Sequence, residues 1–232
     1  HAGEIFVRDV CIPADWPEDA RRTYRVTPAA FRAQLPSRPL DSHKGTLGHL
    51  FVLGGQAGMG GAVLLASQAG LQVGTGLVTA GVPQALRDRF LHIPELMTWT
   101  PPRAREQWHA EDLPMLRDRL AAAQAIVVGC GLGASPQTSA FVEGVLPLCR
   151  DLPLLIDADG LNVLAPAQLA QRAQPAVLTP HPKELSRLTG RSVAEIQAQR
   201  VETVRELAQR WQVVLLLKGA LTVIGTPSGE VY

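Results

Sequence analysis

Residues 43–79 read HKGTLGHLFVLGGQAGMGGAVLLASQAGLQVGTGLVT and hold ten of the 21 glycines in the chain. The glycines surround an apolar strand pattern at residues 50–53 and a helical pattern at residues 62–73. A strand, a glycine-rich turn and a helix start suit a site where backbone N–H groups meet a ligand. The spacing matches neither the dinucleotide fingerprint G-x-G-x-x-G nor the P-loop G-x-x-x-x-G-K-[ST]. Close packing of a buried helix on a sheet explains the glycines equally well.

The composition is that of a folded protein with a large core. Of 232 residues, 46% are hydrophobic and 19% are charged, which fits one α/β domain or two small ones. The net charge of +1, without basic runs, argues against nucleic-acid binding. We expect no membrane span and no signal peptide, since no sufficiently long apolar run is present. Three widely spaced cysteines, Cys11, Cys130 and Cys149, match neither a disulfide framework nor a zinc site and favour the cytoplasm.

Short continuous apolar runs alternate with helical patterns along the chain. Strands are predicted at residues 50–53, 77–80, 125–129, 153–157, 176–179 and 212–217. Helices are predicted at residues 60–73, 83–90, 111–121, 136–148, 161–173, 182–189 and 192–210. Ser192 and Glu195 form a capping box at the start of the last helix. Apolar runs without alternation are typical of strands buried on both faces, so we expect an α/β fold with a mainly parallel sheet covered by helices.

The remaining segments are less regular. Residues 4–7 have the pattern of a strand, and residues 14–42 indicate a linker with a short helical turn near residues 28–35. Residues 91–105 are ambiguous. Residues 221–224 and 231–232 predict two strands joined by a turn.

Polar residues and glycines gather directly after four of the predicted strands. The four segments are Gly129-Cys130-Gly131-Leu132-Gly133, Asp157-Ala158-Asp159-Gly160-Leu161-Asn162, Thr179-Pro180-His181-Pro182-Lys183-Glu184 and Lys218-Gly219-Ala220-Leu221-Thr222. In an open parallel sheet, ligands bind beyond the carboxyl ends of the strands. Together with the glycines after residue 53, these segments predict a ligand site at one edge of the sheet.

The first two segments also have structural explanations. Gly131 and Gly133 can simply turn the chain. Asp159 can cap a helix that begins near Leu161. Two carboxylates and the Asn162 amide within six residues nevertheless favour a polar pocket over a set of caps.

The last two segments also allow both a functional and a structural explanation. His181 lies between two prolines at a helix start, where a rigid exposed imidazole suits a ligand contact, although a lone histidine is more often structural. Glu184 suits the first turn of the helix. Lys218 follows five apolar residues and either reaches the surface or holds an anion, and the adjacent Gly219 favours the second reading. Thr222 adds a hydroxyl to the same anion or simply fills a strand.

Taken together, the segments resemble the ADP/ATP-dependent NAD(P)H-hydrate dehydratases of the ribokinase-like superfamily. The opening stretch matches the family at His43-Lys44-Gly45-x-x-Gly48, Gly54-Gly55-x-x-x-Met59-x-Gly61-Ala62 and Gly74-x-Gly76-Leu77-Val78-Thr79. The four strand-end segments complete the match in the family's order, from about residue 40 to the end of the chain. The resemblance implies a ribokinase-like three-layer α/β/α fold with a mainly parallel central sheet.

The resemblance also implies a reaction, the repair of hydrated nicotinamide cofactors. The family phosphorylates the ring hydroxyl of (S)-NADH-hydrate or (S)-NADPH-hydrate, using ADP in bacteria, and then eliminates phosphate to restore the dinucleotide. ADP or ATP is therefore the implied co-substrate, and Mg²⁺ is expected on its phosphates, although no protein ligand for the metal is apparent. The family also forms homo-oligomers, often tetramers.

Two sets of site residues follow from the resemblance. Residues implied to contact or line the site of the hydrated dinucleotide are Ala62, Gly131, Gly133, Asp159, Asn162 and His181. Residues implied to contact the phosphates of ADP or AMP are Lys218, Gly219, Ala220, Leu221 and Thr222.

Three departures from the family pattern are visible. Cys130 replaces a usual proline and Lys183 a usual glycine. The family's Gly-Ser-Gly-Asp segment, which supplies an anion hole and the catalytic aspartate, would lie beyond Tyr232. We therefore expect no turnover from these 232 residues alone and assign no catalytic residue among them.

The resemblance also divides the chain. Residues 1–13 are similar to the closing strand of an NAD(P)HX epimerase domain, which many bacteria fuse ahead of the dehydratase. Residues 14–42 are then the linker, and residues 43–232 are a dehydratase domain that lacks its C-terminal end. Two alternatives stay open: a small-molecule kinase of the same superfamily, which the segments at residues 43–48 and 179–184 disfavour, and a non-catalytic nucleotide-binding fragment.

Overall fold

One sheet of eight strands runs through the part of the chain that the computed structural model describes, residues 23–170 and 172–232. The strands are β1 His49–Leu53, β2 Leu77–Gly81, β3 Met97–Trp99, β4 Ala125–Val128, β5 Leu154–Ile156, β6 Ala176–Leu178, β7 Val214–Leu217 and β8 Val223–Gly225. Their order across the sheet is β3-β2-β1-β4-β5-β6-β7-β8, and only the β7–β8 pair is antiparallel. The six strands predicted before residue 218 are confirmed, and β3 resolves the ambiguous segment.

Helices cover both faces of this sheet. They are α1 Pro28–Ala33, α2 Gly61–Gln72, α3 Leu113–Leu120, α4 Pro136–Leu148, α5 Asp159–Asn162, α6 Pro182–Thr189, α7 Val193–Ala198 and α8 Arg200–Trp211. Successive residues of β1 point to opposite faces: Phe51 joins one buried cluster, and Val52 joins another that includes Val63 of α2. Phe141 of α4 and Leu207 of α8 pack in the Phe51 cluster. The predicted three-layer α/β/α arrangement is therefore confirmed.

Several predicted helices differ from the structure. The helix predicted at residues 161–173 is wrong, since α5 ends at Asn162 and a separate 3-10 turn, Pro166–Leu169, follows. Proline has no N–H to donate, so Pro166 starts a turn and cannot continue the helix. The helix predicted at residues 192–210 is two helices, because Gln199 has φ −132° and ψ 48° between α7 and α8. The predicted capping box of Ser192 and Glu195 is confirmed.

The remaining differences are local. The helix predicted at residues 83–90 is a 3-10 turn, Gln84–Arg89, and that predicted at residues 111–121 begins as a 3-10 turn, Ala110–Asp112, before α3. The strand predicted at residues 4–7 lies outside the described residues. None of the helices that the structure describes is both long and apolar enough to cross a membrane.

Several described residues before β1 contact the rest of the fold. The Tyr24 ring stacks on Tyr232 at 5.3 Å, beside a parallel bridge between Thr23 and Val231. Val231 also bridges Gly225, so the end of the chain forms isolated bridges in place of the predicted second strand. Farther along, Arg38 Nη2 donates to the Gly74 carbonyl at 2.7 Å, after the end of α2.

An aromatic stack connects the core to the loop after β1. The Trp108 ring lies 4.9 Å from Phe141 and 5.9 Å from Trp99, and it is fully buried. Its Nε1–H donates to the Gly54 carbonyl at 2.9 Å. Trp108 therefore satisfies a buried backbone acceptor at the point where β1 ends.

We predict that Trp108→Phe lowers the free energy of unfolding by about 1–3 kcal/mol from the unsatisfied Gly54 carbonyl, in addition to the lost ring volume. Trp99→Phe serves as the comparison, because it removes the same ring atoms from the same stack without removing the bond to Gly54. Denaturant unfolding of both variants measures the difference. Equal losses in the two variants would show that the hydrogen bond contributes nothing measurable.

Candidate functional site

The parallel pairing brings the carboxyl ends of β1, β4, β5, β6 and β7 to one edge of the sheet. The segments that follow these strands are residues 54–61, 129–133, 157–162, 179–184 and 218–222. Parallel strands with helical crossovers place such segments side by side, and this is where α/β proteins bind ligands. We call this region the strand-end edge.

A hydrogen-bonded charge cluster forms the centre of the strand-end edge. Lys218 Nζ lies 2.8 Å from Asp157 Oδ1 and 3.9 Å from Glu184 Oε2. The Thr179 hydroxyl donates to the same Asp157 oxygen at 2.8 Å. The Lys218 side chain is 40% exposed, so its ammonium is paired with a carboxylate and still faces solvent. An anion arriving from the solvent side can therefore contact it.

His181 and Glu184 form a capping box at the start of α6. His181 Nδ1 accepts the backbone N–H groups of Lys183 and Glu184 at 3.1 and 3.2 Å, and Glu184 Oε2 accepts the His181 N–H at 2.7 Å. Because Nδ1 is an acceptor, the proton of the neutral imidazole lies on Nε2, 3.4 Å from Glu184 Oε1. The imidazole is 44% exposed. His181 therefore has a structural role that fixes its tautomer, and it still presents a donor at the strand-end edge.

Asp159 connects two strand-end segments. Its Oδ2 accepts the Gly133 N–H at 2.9 Å, and its Oδ1 accepts from Asn162 at 3.5 Å. Arg187 Nη1 donates to Asn162 Oδ1 at 2.9 Å. Asp159 is the first residue of α5 and the cap position is Ala158, so the suggestion that Asp159 caps a helix starting near Leu161 is wrong. Its carboxylate is oriented by the neighbouring loop and not by its own helix.

Ala158 has a backbone conformation that few non-glycine residues adopt, with φ 50° and ψ −123°. It separates Asp157, which contacts Lys218, from Asp159, which contacts Gly133. Such outliers cost of order 1–3 kcal/mol and persist where the surrounding contacts over-determine them. Here the two carboxylates, held on different neighbours, fix the backbone between them.

Glycines allow the strand-end segments to pack backbone against backbone. A Cβ on Gly131, at φ +68°, would lie 2.3 Å from the Met59 carbonyl oxygen. A Cβ on Gly133, at φ +78°, would lie 2.5 Å from Gln56 Oε1. The backbone of the loop after β1 therefore requires glycine at residue 131, whereas at residue 133 the flexible Gln56 side chain could move and the positive φ is the stronger reason for glycine.

The opening stretch divides between the two ends of the sheet. Residues 54–61 lie at the strand-end edge, and Ala62 is exposed in the first turn of α2. The His43–Gly48 motif precedes β1 and therefore lies at the amino ends of the strands, opposite the strand-end edge. A cavity of about 790 Å³ lies there, lined mainly by residues 36–48 and 73–75. Residues 43–79 therefore do not form one continuous site, because β1 separates the motif at residues 43–48 from the glycines at residues 54–61.

Cys130 is part of the strand-end edge but is not a reactive thiol. Burial raises the pKa of Cys130, and the negative charge of Asp157 raises it further. Its thiol therefore remains protonated at neutral pH, and a thiol is a poor nucleophile.

Sequence reasoning missed three residues that support this edge, namely Trp108, Arg187 and Arg200. Arg200 Nη2 donates to the carbonyls of Leu217 and Leu221 at 3.0 and 2.9 Å. All three act over long sequence separations and carry no local motif. Arg187 and Arg200 have no sequence signal beyond the patterns of α6 and α8, and Trp108 lies in a loop.

The comparisons with known proteins agree with this geometry. A ribokinase-like superfamily protein from Enterococcus faecalis aligns with a TM-score of 0.70 at 22% identity, covering 84% of this chain and 66% of its own, which confirms the ribokinase-like fold. The model of the NAD(P)H-hydrate dehydratase family matches residues 50–232. The chain therefore belongs to the NAD(P)H-hydrate dehydratase family.

Two family members are similar over most of this chain. An ADP/ATP-dependent NAD(P)H-hydrate dehydratase from Bacillus subtilis, crystallised with ATP and Mg²⁺, is 32% identical with a TM-score of 0.74, covering 89% of this chain and 70% of its own. A bifunctional NAD(P)H-hydrate repair enzyme from Moorella thermoacetica is 40% identical over 235 residues, covering 99% of this chain. The chain spans 44% of the length of that bifunctional relative.

The packing at Gly131 leads to a prediction with a matched control. Gly131→Ala should lower the free energy of unfolding by about 1–3 kcal/mol more than Gly58→Ala, because overpacking adds to the backbone strain. Gly58 also has positive φ, at +81°, but nothing lies within 4 Å of its added Cβ. Urea unfolding of both variants gives the comparison. If the two variants lose the same stability, the loops do not approach as closely as described.

Proposed function

We propose that the protein is an ADP-dependent (S)-NAD(P)H-hydrate dehydratase, which repairs hydrated NADH or NADPH. One observation carries the proposal: in a chain of this family, the charge cluster and the glycine segments at residues 54–61 and 129–133 converge at the strand-end edge. A relative named as an NAD(P)H-hydrate dehydratase and another named as a bifunctional NAD(P)H-hydrate repair enzyme, each similar over most of this chain, support it.

The chemistry explains why a kinase-like fold suits a dehydratase. Hydroxide is a poor leaving group, so ADP first transfers its terminal phosphoryl group to the ring hydroxyl oxygen, which loses its proton, and AMP is released. The carbon–oxygen bond then breaks, driven by the electron pair of the ring nitrogen, and phosphate leaves. Loss of a proton from the adjacent ring carbon then restores the ring double bond of NADH or NADPH. Such catalysis depends on positioning and charge stabilisation more than on covalent groups of the protein.

We assign the adenine nucleotide phosphates to the turn between β7 and β8. Lys218 supplies the ammonium, and Gly219, Ala220, Leu221 and Thr222 are all exposed there. The hydrated dinucleotide is assigned to the other side of the charge cluster. Residues proposed for that side are Ala62, Gly131, Gly133, Asp159, Asn162 and His181.

The Bacillus subtilis dehydratase was co-crystallised with ATP and Mg²⁺. In the described part of this chain, no group of three or more His, Cys, Asp or Glu side chains is placed to hold a metal ion. Asp157 and Glu184, the carboxylates at the charge cluster, face Lys218. We therefore assign no metal ligand to these residues and derive no step through the ion.

The proposed reaction is tested with full-length protein, hydrated NADPH and ADP, by following the return of NADPH absorbance. Lys218→Gln should reduce kcat/KM for ADP by on the order of 100-fold, because it removes the charge beside the transferred phosphoryl group. Arg210→Gln is the control, since Arg210 is an exposed cation in the last turn of α8. Failure of the wild-type protein to regenerate NADPH would overturn the dehydratase assignment and leave the superfamily kinases as the next class to assay.

We also propose that the protein is a homo-oligomer that buries the outer face of α2. This helix has no charged residue. Leu65 on its outer face is 69% exposed, and Val73, directly after its end, is 79% exposed. An uncharged helix face that exposes large apolar side chains is normally covered. A second copy of the chain is the occupant we propose, because the same face on two copies can pack on itself.

Leu65→Glu should therefore shift the assembly towards smaller species, because it places a charge in the contact. Leu91→Glu is the control, since Leu91 is a comparably exposed leucine, at 62%, outside α2. Light scattering after size-exclusion chromatography gives the mass of each variant. An unchanged mass for the α2 variant would exclude this face as the interface.

The bifunctional relative also supports a proposal for the domain organisation. We propose that residues 43–232 are the dehydratase domain, that residues 14–42 are a linker, and that residues 1–13 end an epimerase domain fused ahead of it. The bifunctional relative, of which the chain covers 44%, supports this arrangement. We place the protein in the cytoplasm, and the free state of Cys130 and Cys149 agrees with a reducing compartment.

A further inference from the structure

Arg200 lies beneath the turn that joins β7 to β8. Its Nη2 atom is 3.0 Å from the Leu217 carbonyl oxygen, 3.3 Å from that of Lys218 and 2.9 Å from that of Leu221. Two hydrogens serve three acceptors, so one hydrogen is shared. Nη1 donates to Gln197 Oε1 at 2.5 Å. The guanidinium thus connects the end of α7 to three backbone groups of the turn.

Three features of the chain accommodate this guanidinium. The break at Gln199 begins α8 at Arg200, below the end of β7. Arg200 is half-buried, so its charge is held close to the carbonyl dipoles and partly away from water. A Cβ on Gly219 would lie 2.8 Å from Nη2 and 3.2 Å from the central carbon of the guanidinium. Gly219 therefore leaves room for Arg200, a reason for glycine that the sequence did not show.

The carbonyl contacts set the direction of the turn's N–H groups. In a planar trans peptide, the N–H points opposite to the C=O of the same unit. Because the carbonyls of Lys218 and Leu221 point towards Arg200, the N–H groups of Gly219 and Thr222 point away from it. Backbone N–H groups turned outward together form a concave site that suits an anion.

We propose that Arg200 is a positioning residue for the nucleotide phosphates: it holds the carbonyls of the turn inward so that the N–H groups of Gly219 and Thr222 face the ligand beside Lys218. This inference rests on the proposed function and deepens it. Arg200 acts through the turn and does not touch the ligand. Its role is therefore distinct from that of Lys218, which supplies charge directly.

The test compares Arg200→Gln and Arg200→Lys with the wild-type full-length protein. Arg200→Gln should raise the KM for ADP by on the order of 100-fold, because a turn displaced by about 1 Å misplaces its donors. The KM for hydrated NADPH should change less than twofold. Arg200→Lys should recover part of the loss, because an ammonium still donates to carbonyls but lacks the planar fork. Arg191→Gln is the control, since Arg191 lies just before α7 and pairs with Glu206 of α8, not with the carbonyls of the turn.

The dissociation constant of ADP, measured by calorimetry, keeps the test independent of turnover. An unchanged ADP affinity in Arg200→Gln overturns the positioning role. An equal rise in the KM values for ADP and hydrated NADPH, together with a lower Tm, also overturns it, because that result indicates general damage to the fold. If Arg200→Gln does not fold, Arg200→Lys decides by the same ADP measurement. Loss of ADP affinity only in the Arg200 variants, with normal wild-type turnover, supports both proposals. If the wild-type protein shows no turnover but Arg200→Gln still loses ADP affinity, only the dehydratase assignment is overturned.

Discussion

The strand-end edge depends on the close approach of backbone to backbone between neighbouring loops. Gly55 N–H donates to the Cys130 carbonyl at 2.8 Å, and a Cβ on Gly54 would lie 2.3 Å from that same oxygen. On the other side, a Cβ on Gly129 would lie 1.9 Å from the Asp157 carbonyl oxygen. Any side chain at these glycines would separate the loops. Because the loops carry the charge cluster, their spacing sets where the polar groups of the site can be.

The architecture could be predicted from the sequence because its signals are local. Continuous apolar runs gave the strands, and since parallel strands share an edge, the polar segments after them had to converge. The helix limits were less accurate, because one predicted helix ends at Asn162, before Pro166, and another is divided at Gln199. Pro166 was a local signal that one of the predicted long helices could not continue. The residues around Gln199 carry no comparable signal.

The candidate site was predictable only in outline. The pairing of Lys218 with Asp157 joins residues 61 positions apart, and the bond from Trp108 to Gly54 spans 54 positions. Neither distance has a signature in a single sequence. The glycine-rich opening shows the same limit, since residues 43–48 and 54–61 are close in the chain but lie at opposite ends of β1. Glycine content indicates close approach and does not say which group approaches.

The charge cluster alone does not explain how an anion would be held there. Lys218 faces two carboxylates, those of Asp157 at 2.8 Å and Glu184 at 3.9 Å, so its positive charge is already offset before any phosphate arrives. Asp157 also accepts from Thr179 and is fixed in place, which keeps a negative charge beside the site. Neutral donors are therefore needed to stabilise an incoming phosphate, and the outward N–H groups of the β7–β8 turn are suited to that task. On this reasoning the lysine selects and orients the phosphate, and the backbone amides that Arg200 turns outward supply much of the stabilisation.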